Sequence, residues 1–159
     1  MRRCVTLVVV LVFAVAGCKK HPTGNVVYFS EDDPRMNAAM DKARSTVNTF
    51  IVALKSPKPS QSSFSVKMAF TDGDKTEYMW LTPVNFDGNN FTGTLGNEPE
   101  RVKNVKVGQK FSIAPSKISD WMYIENGKLV GGYTLRVMRD TLSPAERADF
   151  DKSVPFSID

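Results

Sequence analysis

The chain has 159 residues, 42% of them hydrophobic, and carries 21 basic against 17 acidic side chains, a formal net charge of +4. That length suits one domain with a real core, and so small a positive excess predicts no strong nucleic-acid binding. Two cysteines and one histidine leave little material for thiol, imidazole or zinc chemistry, so no metal and no cofactor is expected.

The N-terminus opens with the short cationic run Met1-Arg2-Arg3, followed by an apolar stretch from Val5 to Ala16 interrupted only by Thr6. That stretch is about the length of a signal-peptide core and well short of the ~20 residues needed to span a bilayer. It ends in Val15-Ala16-Gly17-Cys18, which resembles the lipobox of bacterial lipoproteins. Small residues before the cut let an extended backbone enter a narrow protease site, and the thiol accepts a diacylglyceryl group. The expectation is therefore export, removal of residues 1–17, and lipidation of Cys18, with palmitate among its acyl chains. Cleavage takes away Cys4, Arg2 and Arg3, so the net charge falls from +4 to about +2 and no disulfide partner is left. One acyl chain binds a membrane only marginally, but the two or three chains of a processed lipoprotein anchor it stably. Lys19, standing where an aspartate would retain the protein at the inner membrane, favours the periplasmic face of the outer membrane. Residues 18–31 read as the lipidated cysteine and a polar tether, with Pro22, Gly24 and the single histidine, His21. Extended, the stretch after Cys18 reaches roughly 40 Å.

Residues 32–159 read as one domain. Met36, Met40, Ala43, Val47, Phe50 and Leu54 recur at spacings of three and four, predicting one amphipathic helix over Pro34 to Leu54. Asp33 before Pro34 supplies the N-cap, and Ser56-Pro57 with Pro59 ends the helix. From Ser62 the period changes to two. Phe64, Val66, Met68 and Phe70 alternate with polar or small residues, predicting a half-buried strand. Asp72-Gly73 turns it into a second strand over Thr76 to Phe86, with Tyr78, Trp80, Thr82 and Val84 expected on one face. Asp87 to Asn90 turns again into Phe91, Gly93 and Leu95, and further strands are expected over Val105 to Ala114, Ile118 to Glu125, and Lys128 to Val130. Gly93 and Gly108 suggest bends. The stretch Tyr133 to Arg139 fits either period, and the double glycine Gly131-Gly132 before it favours a helix. Ser143-Pro144-Ala145-Glu146 is a capping box, predicting a short helix to about Lys152. The whole reads as α+β: an N-terminal amphipathic helix packed on a curved, mostly antiparallel sheet or partly open small barrel, with a short C-terminal helix.

A nucleophilic triad needs a Ser or Cys within reach of a base. Here the cysteine is lipidated and the histidine sits on the tether. Gly131-Gly132 lacks the spacing and lysine of a phosphate loop, and Asp72, Asp74 and Glu77 fit a hairpin better than a calcium loop. What remains is a pair of acid–aromatic clusters, Glu77-Tyr78-Met79-Trp80 and Asp120-Trp121-Met122-Tyr123. A chemical reading makes Glu77 and Asp120 a carboxylate pair beside stacking aromatics, as in sites acting on sugars. The plainer reading makes them strand residues, with tryptophans in the core and acids toward solvent.

Several segments occur together in order: Phe64-Ser65-Val66-Lys67, Asp72-Gly73, Glu77-Tyr78-Met79-Trp80, Gly93-Thr94-Leu95, Asn97-Glu98-Pro99, Ile118-Ser119-Asp120-Trp121-Met122-Tyr123 and Gly131-Gly132-Tyr133-Thr134-Leu135-Arg136. Over Met36 to Met138 this combination resembles the YegJ-like bacterial family, a domain of unknown function. The resemblance implies a small domain found alone on exported lipoproteins and, in other proteins, joined to further modules. It transfers no activity. Tyr78 stands where the family often has a histidine, which weakens any shared mechanism needing an imidazole there. Lys67, Glu77, Trp80, Asn97, Asp120, Trp121 and Thr134 form the candidate binding surface. The expected function is a non-catalytic binding or scaffold lipoprotein of the cell envelope, whose partners are the membrane through its anchor and an envelope protein or wall polymer. Alternatives are an inhibitor or immunity lipoprotein against a secreted toxin, and a hydrolase using Glu77 and Asp120.

Overall fold

The computed structural model describes residues 33–159 together with two short strands nearer the N-terminus, β1 (Thr6–Val9) and β2 (Val27–Ser30). These two pair antiparallel, and Val9 lies in parallel register beside Tyr78. The expected cleavage point, Cys18 and most of the tether lie outside the described residues. Within the tether, Val27–Ser30 is a strand where irregular chain was expected.

The domain proper starts as anticipated, with the Asp33 carboxylate accepting the backbone N–H groups of Arg35 and Met36 at the head of α1 (Pro34–Ser45). The single helix expected over Pro34 to Leu54 is instead two, because the chain breaks at Thr46 (φ −108°, ψ 6°) before α2 (Val47–Lys55). The Thr46 hydroxyl donates back to the Lys42 carbonyl at 2.7 Å. Such a bond competes with the helical ladder, which is why threonine bends or ends helices. The apolar stripe is consequently shared. Met36 and Met40 join one core cluster, while Ala43, Val47 and Phe50 join another.

Six antiparallel strands follow: β3 (Gln61–Asp72), β4 (Lys75–Phe86), β5 (Phe91–Leu95), β6 (Lys110–Ile113), β7 (Asp120–Glu125) and β8 (Lys128–Gly131). Their order across the sheet is β8-β7-β3-β4-β5-β6, and β6 does not pair with β8, so the sheet is curved but open. The long strands create the curvature. β3 pairs β7 along its first half and β4 along its second, and β4 likewise passes from β3 to β5. Ser63, with φ +57°, marks a register shift in β3.

The strand expected over Val105 to Ala114 shortens to β6, because Lys106 to Gln109 forms a turn containing Gly108. Gly108 is therefore a turn residue rather than a bend within a strand. Gly93 is a close approach, since a Cβ there would stand 2.8 Å from Val84 Cγ1 and 2.9 Å from Leu81 Cβ. The shared face expected for Trp80 and Val84 also fails. A register shift between Leu81 and Val84 puts Val84 in the cluster with Leu81, while Trp80 belongs to the other.

The ambiguous stretch is helical, α3 (Tyr133–Thr141), and the capping box opens α4 (Pro144–Ser153) as expected. The tail after it packs inward, with Val154 and Phe156 buried and Ser157 bonded to the main chain of Leu129 and Gly127. Among the described residues no helix is long and apolar enough to cross a membrane.

Candidate functional site

The strand register settles which side chains share a face. Lys67 stands opposite Trp80 on one neighbouring strand and Asp120 on the other, so these three form a row across β4, β3 and β7. Val66, Leu81 and Trp121 form the adjacent row on the opposite face. Glu77 pairs with Phe70, three positions from Trp80, and so lies on the Trp121 side. Glu77 and Asp120 therefore occupy opposite faces of the sheet. The proposed carboxylate-pair hydrolase is ruled out, because its two groups cannot open on a common cleft.

All seven residues expected on a binding surface are interior, each 4% exposed or less. The cause is a second layer. Alternation in β3 marked Lys67 as a solvent position, but α3 covers that face, and Leu135 and Met138 from it pack with Trp80 and Met122.

Under α3 lies a linked polar chain. Lys67 Nζ donates to Thr134 Oγ1 at 3.0 Å, and that hydroxyl donates to Asp120 Oδ2 at 2.6 Å. The carboxylate also accepts the N–H groups of Trp121, Tyr133 and Thr134 at 2.8, 3.1 and 2.8 Å. Gly132, in left-handed conformation, precedes the helix without a capping side chain. Asp120 supplies the missing cap from β7 and places its charge at the positive end of the helix. Lys67 Nζ also sits 5.0 Å from the Trp80 ring centroid, over its face.

Burial holds the Lys67 ammonium down to about 8, although the Asp120 charge pulls the other way. Burial raises the Asp120 carboxyl above its ordinary value, opposed by Lys67 and by its bonds from Thr134 and Trp121. Four donors aimed at two oxygens fit the carboxylate, which only accepts.

A pH dependence follows from Lys67. Between about 8 and the ordinary lysine value of 10.5 the unfolded chain binds the Lys67 proton and the folded chain does not. The Lys67 contribution to stability is therefore present above 10.5 and lost as pH falls through 8. Urea midpoints for the wild type minus those for Lys67→Met should rise across that interval. A difference that is flat throughout would show that burial does not perturb this amine.

The other polar residues hold loops. On the far face, Glu77 accepts three successive main-chain N–H groups, from Glu100, Arg101 and Val102, at 3.0 to 3.3 Å. A carboxylate buried in a nest of N–H groups fixes a loop much as a bound anion would. Asn97 Oδ1 accepts the Trp80 N–H at 3.0 Å, extending β4 pairing into that same loop. Trp121 Nε1 donates to the Ala43 carbonyl at 2.9 Å, tying α1 to the sheet. A surface concavity of about 440 Å³, between Gly127, Asp151 and the tail from Val154 to Ile158, is lined by none of the seven residues. Sequence reasoning missed the exposed turn in the loop between β5 and β6, whose signal is the acid-free basic stretch that follows Glu100.

This small α+β domain, with two polar networks sealed inside it, belongs to a family described as uncharacterized proteins conserved in bacteria (DUF2314), whose model matches residues 33–158. The chain is similar to the uncharacterized protein YegJ of Escherichia coli K12, with 34% identity over 149 residues, 94% of this chain and 95% of that one. It is also similar to a putative ankyrin repeat protein, NMB1133/NMB1171, of Neisseria meningitidis serogroup B, with 35% identity over 136 residues. That match covers 80% of this chain but 54% of the Neisseria protein, so the domain spans about half of it. No solved structure gives a significant match.

Proposed function

We propose that this protein is a lipid-anchored module of the bacterial cell envelope that acts by binding or scaffolding rather than by catalysis. The observation that carries the non-catalytic part is the complete internal use of Glu77, Asp120 and Lys67. Each is buried and hydrogen-bonded within the domain, and none reaches an open cleft. The envelope part rests on Val15-Ala16-Gly17-Cys18 and the apolar run before it. A domain that hangs on a tether of roughly 40 Å can present its surface to a wall polymer or envelope protein. Lys19 favours the outer membrane, periplasmic side, as its location.

Intact-mass measurement on protein extracted from native membranes tests the anchor. The expected mass is that of residues 18–159 plus a diacylglyceryl group and an N-acyl chain, and Cys18→Ala should abolish both cleavage and acylation. An intact Met1 or a free Cys18 thiol would overturn the reading. The non-catalytic part is overturned if Glu77→Gln abolishes a cellular role while amide exchange of the Glu100–Val102 loop stays as in the wild type.

A further inference from the structure

Between Glu100 and the buried Asp120 the chain carries Arg101, Lys103, Lys106, Lys110 and Lys117 and no carboxylate. Three of these lysines surround one turn. Gln109 N–H donates to the Lys106 carbonyl at 3.1 Å, and Gly108 at the third position has φ +83°. That combination is the geometry of a type II turn, which puts Val107 at its outer corner. Val107 is 51% exposed, one of the two large apolar side chains left in solvent among the described residues. Lys103, Lys106 and Lys110, beside it in the sequence, are all exposed, and the Lys103 ammonium donates to the Glu100 carbonyl at 2.7 Å.

The turn stands on a rigid base. Val102 is fully buried, and Glu77 accepts its N–H and that of Arg101 before it. The Asp72 carboxylate accepts the Lys103 N–H at 2.8 Å, and Asn104 Nδ2 donates to the Thr71 carbonyl at 2.8 Å. Beyond the turn, the main chain of Gly108 and Gln109 pairs with Leu95. Lysines on an open edge strand such as β6 discourage edge-to-edge pairing, and that accounts for Lys110. It does not account for a valine at the tip of a well-held turn with lysines on both sides.

We propose that this tip is a docking contact for an anionic phospholipid surface, with Lys103, Lys106 and Lys110 meeting lipid phosphates and Val107 entering the boundary between head groups and acyl chains. Each lysine close to an anionic leaflet favours the bound state by a factor of about five, and one valine adds only a small apolar term. The contact therefore depends on anionic lipid. A polyanionic polymer would use the lysines equally but gains nothing from the exposed valine. The proposal rests on the Cys18 anchor, which keeps the domain within tether reach of the bilayer and makes docking effectively intramolecular.

The test uses the full, membrane-extracted protein with Val107→Cys carrying a polarity-sensitive dye. It is reconstituted into phosphatidylcholine vesicles, or into vesicles in which a third of the lipid is phosphatidylglycerol. Retention of the protein on both vesicle types reports the anchor alone. The dye should shift to the blue only with phosphatidylglycerol, and raised salt should reverse the shift. Combining Lys103→Gln, Lys106→Gln and Lys110→Gln should lower the docked fraction by about tenfold or more. Identical spectra on the two vesicle types, an equal shift from a dye at Lys152→Cys, or an equal shift from soluble glycerophosphate would each overturn docking. Failure of retention would overturn the anchor instead. In that case, co-sedimentation of the detached protein with phosphatidylglycerol vesicles, and its loss in the triple-glutamine variant, still decides the role of the tip.

Discussion

Asp120→Ala should destabilise the domain by about 3–5 kcal/mol, the range seen when one member of a buried charged pair is removed. Two losses coincide at this position. Lys67 would remain buried without the Asp120 charge beside it, with Thr134 as its hydrogen-bond acceptor. The N–H groups of Tyr133 and Thr134 would also lose the acceptor that caps α3, since Gly132 offers no side chain in its place. Urea denaturation measures the first loss, and amide exchange in the first turn of α3 reports the second. Adding Lys67→Met to Asp120→Ala should recover part of the stability, because the stranded ammonium is then gone, and the double variant should lose less than the two singles together. Strict additivity would mean that Thr134 does not couple the amine to the carboxylate. A loss below about 1 kcal/mol for Asp120→Ala would mean that neither the cap on α3 nor the charge beside Lys67 contributes appreciably.

How far the sequence reveals this arrangement depends on what each residue signals locally. Hairpin turns announce themselves: Asp72-Gly73 marks one that falls a residue later, at Gly73-Asp74, and Asn126-Gly127 joins directly paired strand ends with φ of +51° and +75° at its two residues. The Asp33 cap and the Ser143 capping box are equally explicit. Lys67 and Asp120 mislead for a clear reason. A two-residue period separates the faces of a strand, but it cannot show that another layer will cover the second face. β7 is buried on both sides along Asp120 to Ile124, and there alternation carries no inside–outside meaning. The break at Thr46 is hidden differently. The apolar spacing runs straight through it, and only a hydroxyl returning to a carbonyl interrupts the helix. The exposed Lys106-Val107 turn was legible as composition, yet it lies in a segment whose valines imitate a strand.

Gly131→Ala is expected to be as damaging as losing Asp120, for a steric rather than an electrostatic reason. A Cβ at this position would stand 2.4 Å from the Trp121 carbonyl oxygen and 2.5 Å from its ring. Neither can withdraw cheaply. That carbonyl accepts the Gly132 N–H at 2.8 Å, and the indole is fixed through Nε1 to Ala43 and packed 5.5 Å from the Phe50 ring centroid. The backbone at Gly131 also has φ +74°, which disfavours any side chain. Overpacking and backbone strain together come to roughly 3–5 kcal/mol. Gly108→Ala separates the two contributions, since its φ of +83° is comparable and its Cβ would meet open space. It should cost only about 1–2 kcal/mol. Thermal or urea unfolding of the two variants side by side therefore measures the clash directly. Equal losses would show that left-handed backbone alone demands the glycine, and that Trp121 can yield. A much larger loss at Gly131 would show that the close approach of β8 to the indole fixes where α3 begins, and with it the position of Thr134 between Lys67 and Asp120.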